Sequence, residues 1–184
     1  MGGQACIFYG AAEFSRDLDL LVLADPDNLA QLRSGLDDLR AESIAVPDFE
    51  VQYLRRGHAI QFRCRREDVA GLRIDVMSAL RGVEPFADLW NRRTSIEVAG
   101  ETLDLLALED LVAAKKTQRD KDWPMIRRLV EQSYFNRSAE PKPPLEFWLR
   151  ELRTPELLIA VASAHPEVAR REAELRPAVR EALT

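Results

Sequence analysis

The chain has 184 residues, enough for one domain with a substantial core, or for one domain with a helical extension. Its hydrophobic content of 46% and charged content of 31% are ordinary for a globular protein. The net charge of −5 argues against a broadly basic nucleic-acid-binding surface. Arginine doublets such as Arg55-Arg56 and Arg92-Arg93 leave room for a local basic cleft, although solvated surface is their commoner role.

The two cysteines, Cys6 and Cys64, lie in apolar stretches and lack the spacing of metal ligands. We therefore expect buried, reduced thiols in a cytoplasmic protein. No apolar run reaches the length of a membrane span, and Met1-Gly2-Gly3 has neither the basic nor the apolar part of a signal peptide. We expect no membrane partner.

The N-terminal stretch combines a predicted short helix over Gln4–Ala12 with a predicted strand over Leu18–Leu23, whose apolar run is broken only by Asp19 and directly follows Asp17. Because successive side chains of a strand point to opposite faces, Asp17 and Asp19 emerge together while Leu18 and Leu20 turn away. Two carboxylates so placed repel each other, and a hard divalent cation such as Mg²⁺ relieves that repulsion. The alternative is a strand that begins in solvent with both aspartates hydrated.

The next elements complete a strand and helix pattern. Asp25-Pro26 predicts a helix start, and leucines at spacings of three and four predict an amphipathic helix that covers the sheet. For residues 41–53 the pattern predicts either short strands or a loop around Pro47. Further strands are expected over His58–Arg63 and Leu72–Met77, the second of which places Arg73 and Asp75 on one face.

The remaining chain predicts a hairpin followed by helices. Pro85–Trp90 predicts a short helical turn whose Trp90 packs at a core edge rather than stacking on a base. Thr94–Val98 and Thr102–Leu106 predict the hairpin. After it, helices are expected over Leu108–Gln118, Asp122–Gln132, Leu145–Leu152, Pro155–Ala164 and Pro166–Leu183. The expected fold class is α/β (α+β), with a mixed-sheet core over residues 1–106 and a helical region over residues 107–184 packed on it.

Two blocks of the sequence form recognisable motifs. The first runs from Gly2-Gly3 through Tyr9-Gly10 to Ser15-Arg16-Asp17-Leu18-Asp19. The second runs from Leu108-Glu109-Asp110-Leu111 to Lys121-Asp122. Together they resemble the polymerase-beta-type nucleotidyltransferase superfamily, closest to its bacterial abortive-infection toxin-like branch. In that family a helix and a strand precede the glycine pair, so either an upstream start or a missing first strand is expected here.

The resemblance also implies a role for particular residues. Gly2, Gly3 and Ser15 would approach the nucleotide's phosphates, since small residues let backbone N–H groups reach phosphate oxygens. Asp17 and Asp19 would bind the catalytic Mg²⁺ or Mn²⁺ ions, and Asp75 would supply the third carboxylate. Asp48 and Glu50 compete with Asp75 for that role, and an ion pair with Arg73 or Arg63 is its structural alternative.

Lys115 and Arg119 come from the second block. Four residues apart on a helix, they would face the same way and either hold the triphosphate of the nucleoside triphosphate substrate or neutralise the leaving pyrophosphate. Their structural alternative is a cationic helix end that complements the helix dipole. A substrate contact of His58 competes with the commoner role of a histidine that packs or faces water.

The implied activity is transfer of a nucleoside monophosphate from a nucleoside triphosphate to a hydroxyl or phosphate of RNA, a protein or a small molecule. A toxin-like role with an antitoxin partner, or a homo-oligomer, is part of the same expectation. Two alternatives stand beside it. The chain could be an inactive member that binds nucleotide or a protein partner, or an unrelated α/β fold with a coincidental match.

Overall fold

The computed structural model describes residues 1–116 and 119–184, without the side chain of Lys121, and divides the chain into two compact units. The first unit comprises Met1–Phe8 and Ala12–Gln118, and the second comprises Tyr9–Ala11 and Arg119–Thr184. Over the described ranges, every helix is either too short or too polar to cross a bilayer.

The first unit is built around a four-stranded mixed sheet. Its strands are β1 (Asp17–Leu21), β2 (Ala41–Ser43), β3 (Ile60–Cys64) and β4 (Arg73–Met77), in the spatial order β1-β4-β3-β2. β1 and β4 are parallel, whereas β4 with β3 and β3 with β2 are antiparallel. Together with the surrounding helices, this mixed sheet confirms the expected α/β (α+β) class.

Five helices of this unit accompany the sheet: α1 (Gly2–Phe8), α2 (Pro26–Asp38), α3 (Val51–Arg55), α4 (Phe86–Asn91) and α5 (Leu108–Lys116). The expected start of α2 is confirmed, because the Asp25 side chain caps it by accepting from the Asn28 N–H at 2.9 Å. α1 begins earlier than the predicted Gln4 and ends at Phe8, before Gly10 adopts a left-handed φ of 75°.

The apolar side chains of the strands and of α2 form one core. Ile74 and Val76 of β4 are buried with Phe62 of β3, and Leu29 and Leu36 of α2 belong to the same cluster. Leu18 and Leu20 pack against it from β1. The period-two alternation of β1 and β4 therefore turns Asp17, Asp19, Arg73 and Asp75 to the other side, which we call the polar face.

Residues 41–55 differ from the sequence-based expectation of short strands or a loop around Pro47. β2 forms earlier, over Ala41–Ser43, and Val51–Arg55 is the helix α3. A helical turn places Val51 and Leu54 on one side, where Leu54 is fully buried in the sheet's core. Burial of this pair outweighs the strand-like composition of the segment.

The predicted hairpin is confirmed as β5 (Thr94–Val98) paired with β6 (Glu101–Leu105). Its turn residues Ala99 and Gly100 both have positive φ, 53° and 85°, as the twist of a tight hairpin requires.

The second unit consists of helices α6 (Trp123–Arg137), α7 (Leu145–Glu151), α8 (Pro155–Ala164), α9 (Pro166–Glu172) and α10 (Pro177–Glu181). In its core, the fully buried ring of Trp148 donates from Nε1 to Ser133 Oγ at 3.0 Å. The prediction of a single helix over Pro166–Leu183 is wrong. The helix is interrupted between Glu172 and Pro177, and Pro177 lacks the N–H that a continuous helix needs.

Candidate functional site

The glycine pair lies directly against the strand that carries the two aspartates. A Cβ atom on Gly2 would come within 1.8 Å of Asp19 Oδ2, and one on Gly3 within 2.3 Å of Ser15 Oγ. The backbone N–H of Gly3 also points to Asp19 Oδ2 at 3.4 Å. A side chain at position 2 or 3 would therefore require Asp19 or Ser15 to move, and Gly2, Gly3, Ser15 and Asp19 form one small cluster.

Strand register brings the third carboxylate beside this cluster. β1 and β4 pair Asp19 with Asp75, and Asp17 with Arg73. Partners opposite each other on neighbouring strands direct their side chains to the same side of the sheet. The polar face therefore carries Asp17, Asp19 and Asp75 on two adjacent strands.

Asp75 is bound by an arginine of its own strand. Arg73 Nε donates to Asp75 Oδ1 at 2.8 Å, and Arg73 Nη2 donates to Asp75 Oδ2 at 2.7 Å. Asp75 is 9% exposed, so this two-pronged pair satisfies a buried carboxylate. Of the two arginines considered from the sequence, Arg73 is the observed partner.

Asp19 sits in an environment that opposes its ionisation. Burial raises the pKa of the Asp19 carboxyl, and the negative charges of Asp75 and Asp17 raise it further. The hydrogen bond from the Gly3 N–H acts in the opposite direction. A cation placed among these carboxylates would relieve the repulsion that raises the pKa.

The donor chemistry fits a hard divalent cation, because three carboxylates share one face and their charges repel. Among the residues that the structure describes, however, no three Asp, Glu, His or Cys side chains are placed to hold a metal ion together. Both oxygens of Asp75 are bound by Arg73. A centre with three carboxylates therefore requires the Arg73 guanidinium to release Asp75.

The two cations expected to bind the triphosphate have different surroundings. Lys115 lies in the last turn of α5, and its charge is a minor influence that lowers the pKa of the Met1 amino group, after the dominant effect of burial. Arg119 belongs to the second unit, has an extended backbone and pairs with Asp122 at 3.4 Å. The expected helix carrying both cations is thus wrong, since it does not continue through Arg119. Its predicted residues Thr117 and Gln118 lie outside the described residues.

The competing candidates lie elsewhere in the first unit. Asp48 is exposed, and Glu50 precedes α3, where it accepts a hydrogen bond from Gln52 Nε2. His58 is exposed, with its ring 6.1 Å from that of Tyr53. None of these three residues is in a strand of the sheet. Asp75 is thus the acidic residue that pairs in register with Asp19.

A cavity of about 100 Å³ beside β1 was not indicated by the sequence. Met1, Leu20 and Leu21 line one side of it, and α4 and the hairpin supply the other side, including Phe86, Trp90, Arg93 and Asp104. Trp90 is 44% exposed, so it does not simply fill a core edge. The spacing of Phe86, Trp90 and Arg93 at four and three residues was the available signal.

No family model matches the chain, and no curated protein is significantly similar to it.

Proposed function

We propose that this protein is a metal-dependent nucleotidyltransferase that transfers a nucleoside monophosphate from a nucleoside triphosphate to a hydroxyl or phosphate acceptor. The observation that carries the proposal is the contact between Gly2-Gly3 and the Asp19 and Ser15 side chains, beside Asp75 on the adjacent strand. The backbone of the glycine pair, which carries no side chains, therefore lies next to the strand face that carries the carboxylates. Such an arrangement suits phosphates held near a metal ion.

In this proposal each group has a distinct task. Asp17 and Asp19, with Asp75 once Arg73 releases it, would hold Mg²⁺ or Mn²⁺, which when bound would neutralise charge on the phosphates. The glycine pair and Ser15 accommodate phosphate oxygens, and Lys115 adds positive charge. The bond from the acceptor oxygen to the α-phosphorus forms, the α–β phosphoanhydride bond breaks, and pyrophosphate leaves. Asp75 takes the proton of an acceptor hydroxyl.

Transfer of the α-phosphate label tests this activity. The protein is incubated with each nucleoside triphosphate, Mg²⁺ or Mn²⁺, and cell extract, and label is sought in RNA, protein and small molecules. Wild type is expected to transfer label, and Asp19→Asn is expected to lose roughly 100-fold of the rate, as for loss of one charge-stabilising group. Glu42 lies in β2 and is an exposed partner of Arg65. Glu42→Gln serves as the matched control and should retain activity. Transfer that is absent with every nucleotide and both metals, or equal in Asp19→Asn, would overturn the proposal.

The label also identifies the acceptor class. Label that resists ribonuclease but not protease would identify a protein acceptor, and the reverse would identify RNA. An antitoxin partner or a homo-oligomer is compatible with either result. Cys6 and Cys64 are buried and outside any disulfide, as expected from the sequence, which suits the cytoplasmic location proposed for a nucleotide-using protein.

The Arg73–Asp75 pair favours a second candidate function. In it, the protein is a catalytically inactive nucleotidyltransferase-fold protein that binds nucleotide or a protein partner but transfers no nucleotide. Arg73 occupies both oxygens that the third metal ligand would need. Nucleotide binding without label transfer would support this candidate. The inactive candidate also predicts nucleotide affinity that is equal with and without Mg²⁺.

A further inference from the structure

We propose that the cavity beside β1 is the base subsite for the nucleoside triphosphate, and that it prefers bases that carry an amino group. The proposal rests on the proposed function, because it assumes that the phosphates bind at the glycine pair and the aspartates. It adds the part of the substrate that those residues do not touch.

The position of the cavity supports this assignment. Its wall contains Met1, which directly precedes Gly2, and Leu20 and Leu21, which directly follow Asp19. Two strand residues span roughly 7 Å, so the backbone that lines the cavity lies within about 7 Å of the Asp19 backbone along β1. A nucleotide with its phosphates at Gly2-Gly3 could therefore reach the cavity with its base.

The size of the cavity fits a part of a nucleotide rather than the whole. Its volume of about 100 Å³ is well below the roughly 300 Å³ at which complete small-molecule pockets begin. The ribose and triphosphate would thus lie outside it, towards the polar face. Leu89, Leu105 and Leu106 make much of the lining apolar, as the faces of a base require.

Planar side chains form one wall. The rings of Phe86 and Trp90 stack with centroids 5.6 Å apart and planes at 19°, and the Arg93 guanidinium lies 4.1 Å from the Trp90 centroid. Nucleobases are commonly held by aromatic rings and by guanidinium planes of this kind. Trp90 is exposed to an extent unusual for a large aromatic that serves only the core.

Asp104 gives the cavity a polar selector. Its Oδ1 accepts hydrogen bonds from Ser95 Oγ at 2.5 Å and Arg93 Nε at 2.8 Å, which fix the carboxylate at the cavity wall. An ionised carboxylate can only accept, so it pairs with an amino group but not with a carbonyl oxygen. Adenine, guanine and cytosine carry such an amino group. Uracil offers only its ring N3–H, which lies between two carbonyl oxygens that repel a carboxylate.

The wall formed by Phe86, Trp90 and Arg93 is tested by calorimetry. The affinity of the protein is measured for a methylene-bridged ATP analogue and for inorganic tripolyphosphate, both with Mg²⁺. Trp90→Ala and Arg93→Gln are each expected to weaken the ATP analogue about tenfold, within the range for one lost base stack. Both should leave tripolyphosphate affinity unchanged. Phe135→Ala, which removes an exposed ring of the second unit, is the matched control. Arg93→Gln keeps the test open if Trp90→Ala does not fold.

The selector is tested by comparing ATP, GTP, CTP and UTP analogues. Wild type should bind UTP at least about fivefold more weakly than the others, as for one good base-edge contact. Asp104→Asn presents a donor as well as an acceptor and should reduce that difference to within about twofold. Equal binding of all four by wild type would overturn the selectivity.

The two proposals fail in different ways. If Asp19→Asn abolishes Mg²⁺-dependent binding while Trp90→Ala and Arg93→Gln bind as wild type, the base subsite is overturned and the proposed function stands. If neither the nucleotide analogue nor tripolyphosphate binds wild type, both are overturned.

Discussion

Arg73 binds both carboxylate oxygens of Asp75, two residues further along the same strand, at 2.7 and 2.8 Å. The pair lies on the polar face beside Asp17 and Asp19, so one guanidinium offsets part of the charge of three carboxylates. The same hydrogen bonds that satisfy buried Asp75 also oppose its use as a metal ligand.

Substitution of Arg73 by alanine should therefore expose this competition. The unfolding free energy is expected to fall by about 2 kcal/mol, because a buried carboxylate loses its partner. Added Mg²⁺ should then raise the melting temperature of Arg73→Ala more than that of wild type, since Asp75 is released. Arg63→Ala is the control, because Arg63 is exposed and pairs with Arg73 in register. Equal metal responses in the two variants would show that Arg73 does not compete with a cation.

Alanine at Gly2 should disturb the cluster without a general effect on the fold. The added Cβ would clash with the Oδ2, Cγ and Cβ atoms of Asp19, and Gly2 has a left-handed φ of 63°. We expect lower stability by about 1–3 kcal/mol from backbone strain alone, and loss of Mg²⁺-dependent nucleotide binding.

The control for that variant is Gly35→Ala in α2. A Cβ there meets no atom within 4 Å, and alanine in a helix interior should stabilise the protein by about 0.5–1 kcal/mol. Denaturant unfolding of both variants measures the contrast. A Gly2→Ala variant as stable as wild type, with Mg²⁺-dependent nucleotide binding retained, would contradict the close approach of Gly2 to Asp19.

The raised pKa of Asp19 predicts a pH-dependent effect of Asp19→Asn in metal-free buffer. A raised folded-state pKa means that the contribution of Asp19 to stability is fully present below its ordinary value of 3.8 and is lost as pH rises through the raised value. The asparagine variant has no such loss, and its amide oxygen can still accept from the Gly3 N–H. It should therefore melt above wild type at pH 7, with a difference that disappears as pH approaches 3.8.

Melting curves of Asp19→Asn, wild type and Glu42→Gln between pH 3.5 and about 8 check this sign, over the range in which carboxyl groups titrate. Saturating Mg²⁺ should narrow the gap at pH 7 by stabilising wild type alone. An asparagine variant that is less stable than wild type at neutral pH would show that the Asp19 charge is favourable in the fold.

Arg92 should matter more for stability than its exposure suggests. It donates to both oxygens of buried Asp110 at 2.6 and 2.8 Å, and so connects the end of α4 to the first turn of α5. Arg92→Ala leaves that carboxylate unpaired and should cost about 2–3 kcal/mol of unfolding free energy. Glu84→Ala removes the exposed partner of Arg92 and should cost much less, because exposed ion pairs contribute little. Chemical unfolding that ranks the two variants in the other order would contradict this role.

Local pattern was enough to predict several parts of this fold. Alternation placed Asp17 with Asp19 and Arg73 with Asp75, and the cap at Asp25 and the hairpin at residues 94–105 were confirmed. These features depend on residues close in sequence, whose spacing or turn chemistry defines them.

Other features depended on contacts that no local pattern contains. Helix α3 forms because Leu54 is buried against the sheet, and the cavity exists because Asp104 of the hairpin meets the end of α4. Arg73 pairs with Asp75 because both side chains extend from the same face of β4, two residues apart. The sequence alone did not distinguish Arg73 from Arg63 as the partner. The residue roles implied by the family resemblance stay predictions until nucleotide transfer is measured.

The parallel register of β1 and β4 also limits how this chain can vary in length. Deleting one residue within β4 before Asp75 would reverse the facing of the rest of the strand, sending the carboxylate into the apolar layer beneath α2 and a hydrophobic side chain to the polar face. The turn over residues 65–71 can absorb an added or lost residue, because its side chains are mostly at the surface. Insertions and deletions tolerated by natural variants should therefore collect in that turn and be absent from the strand.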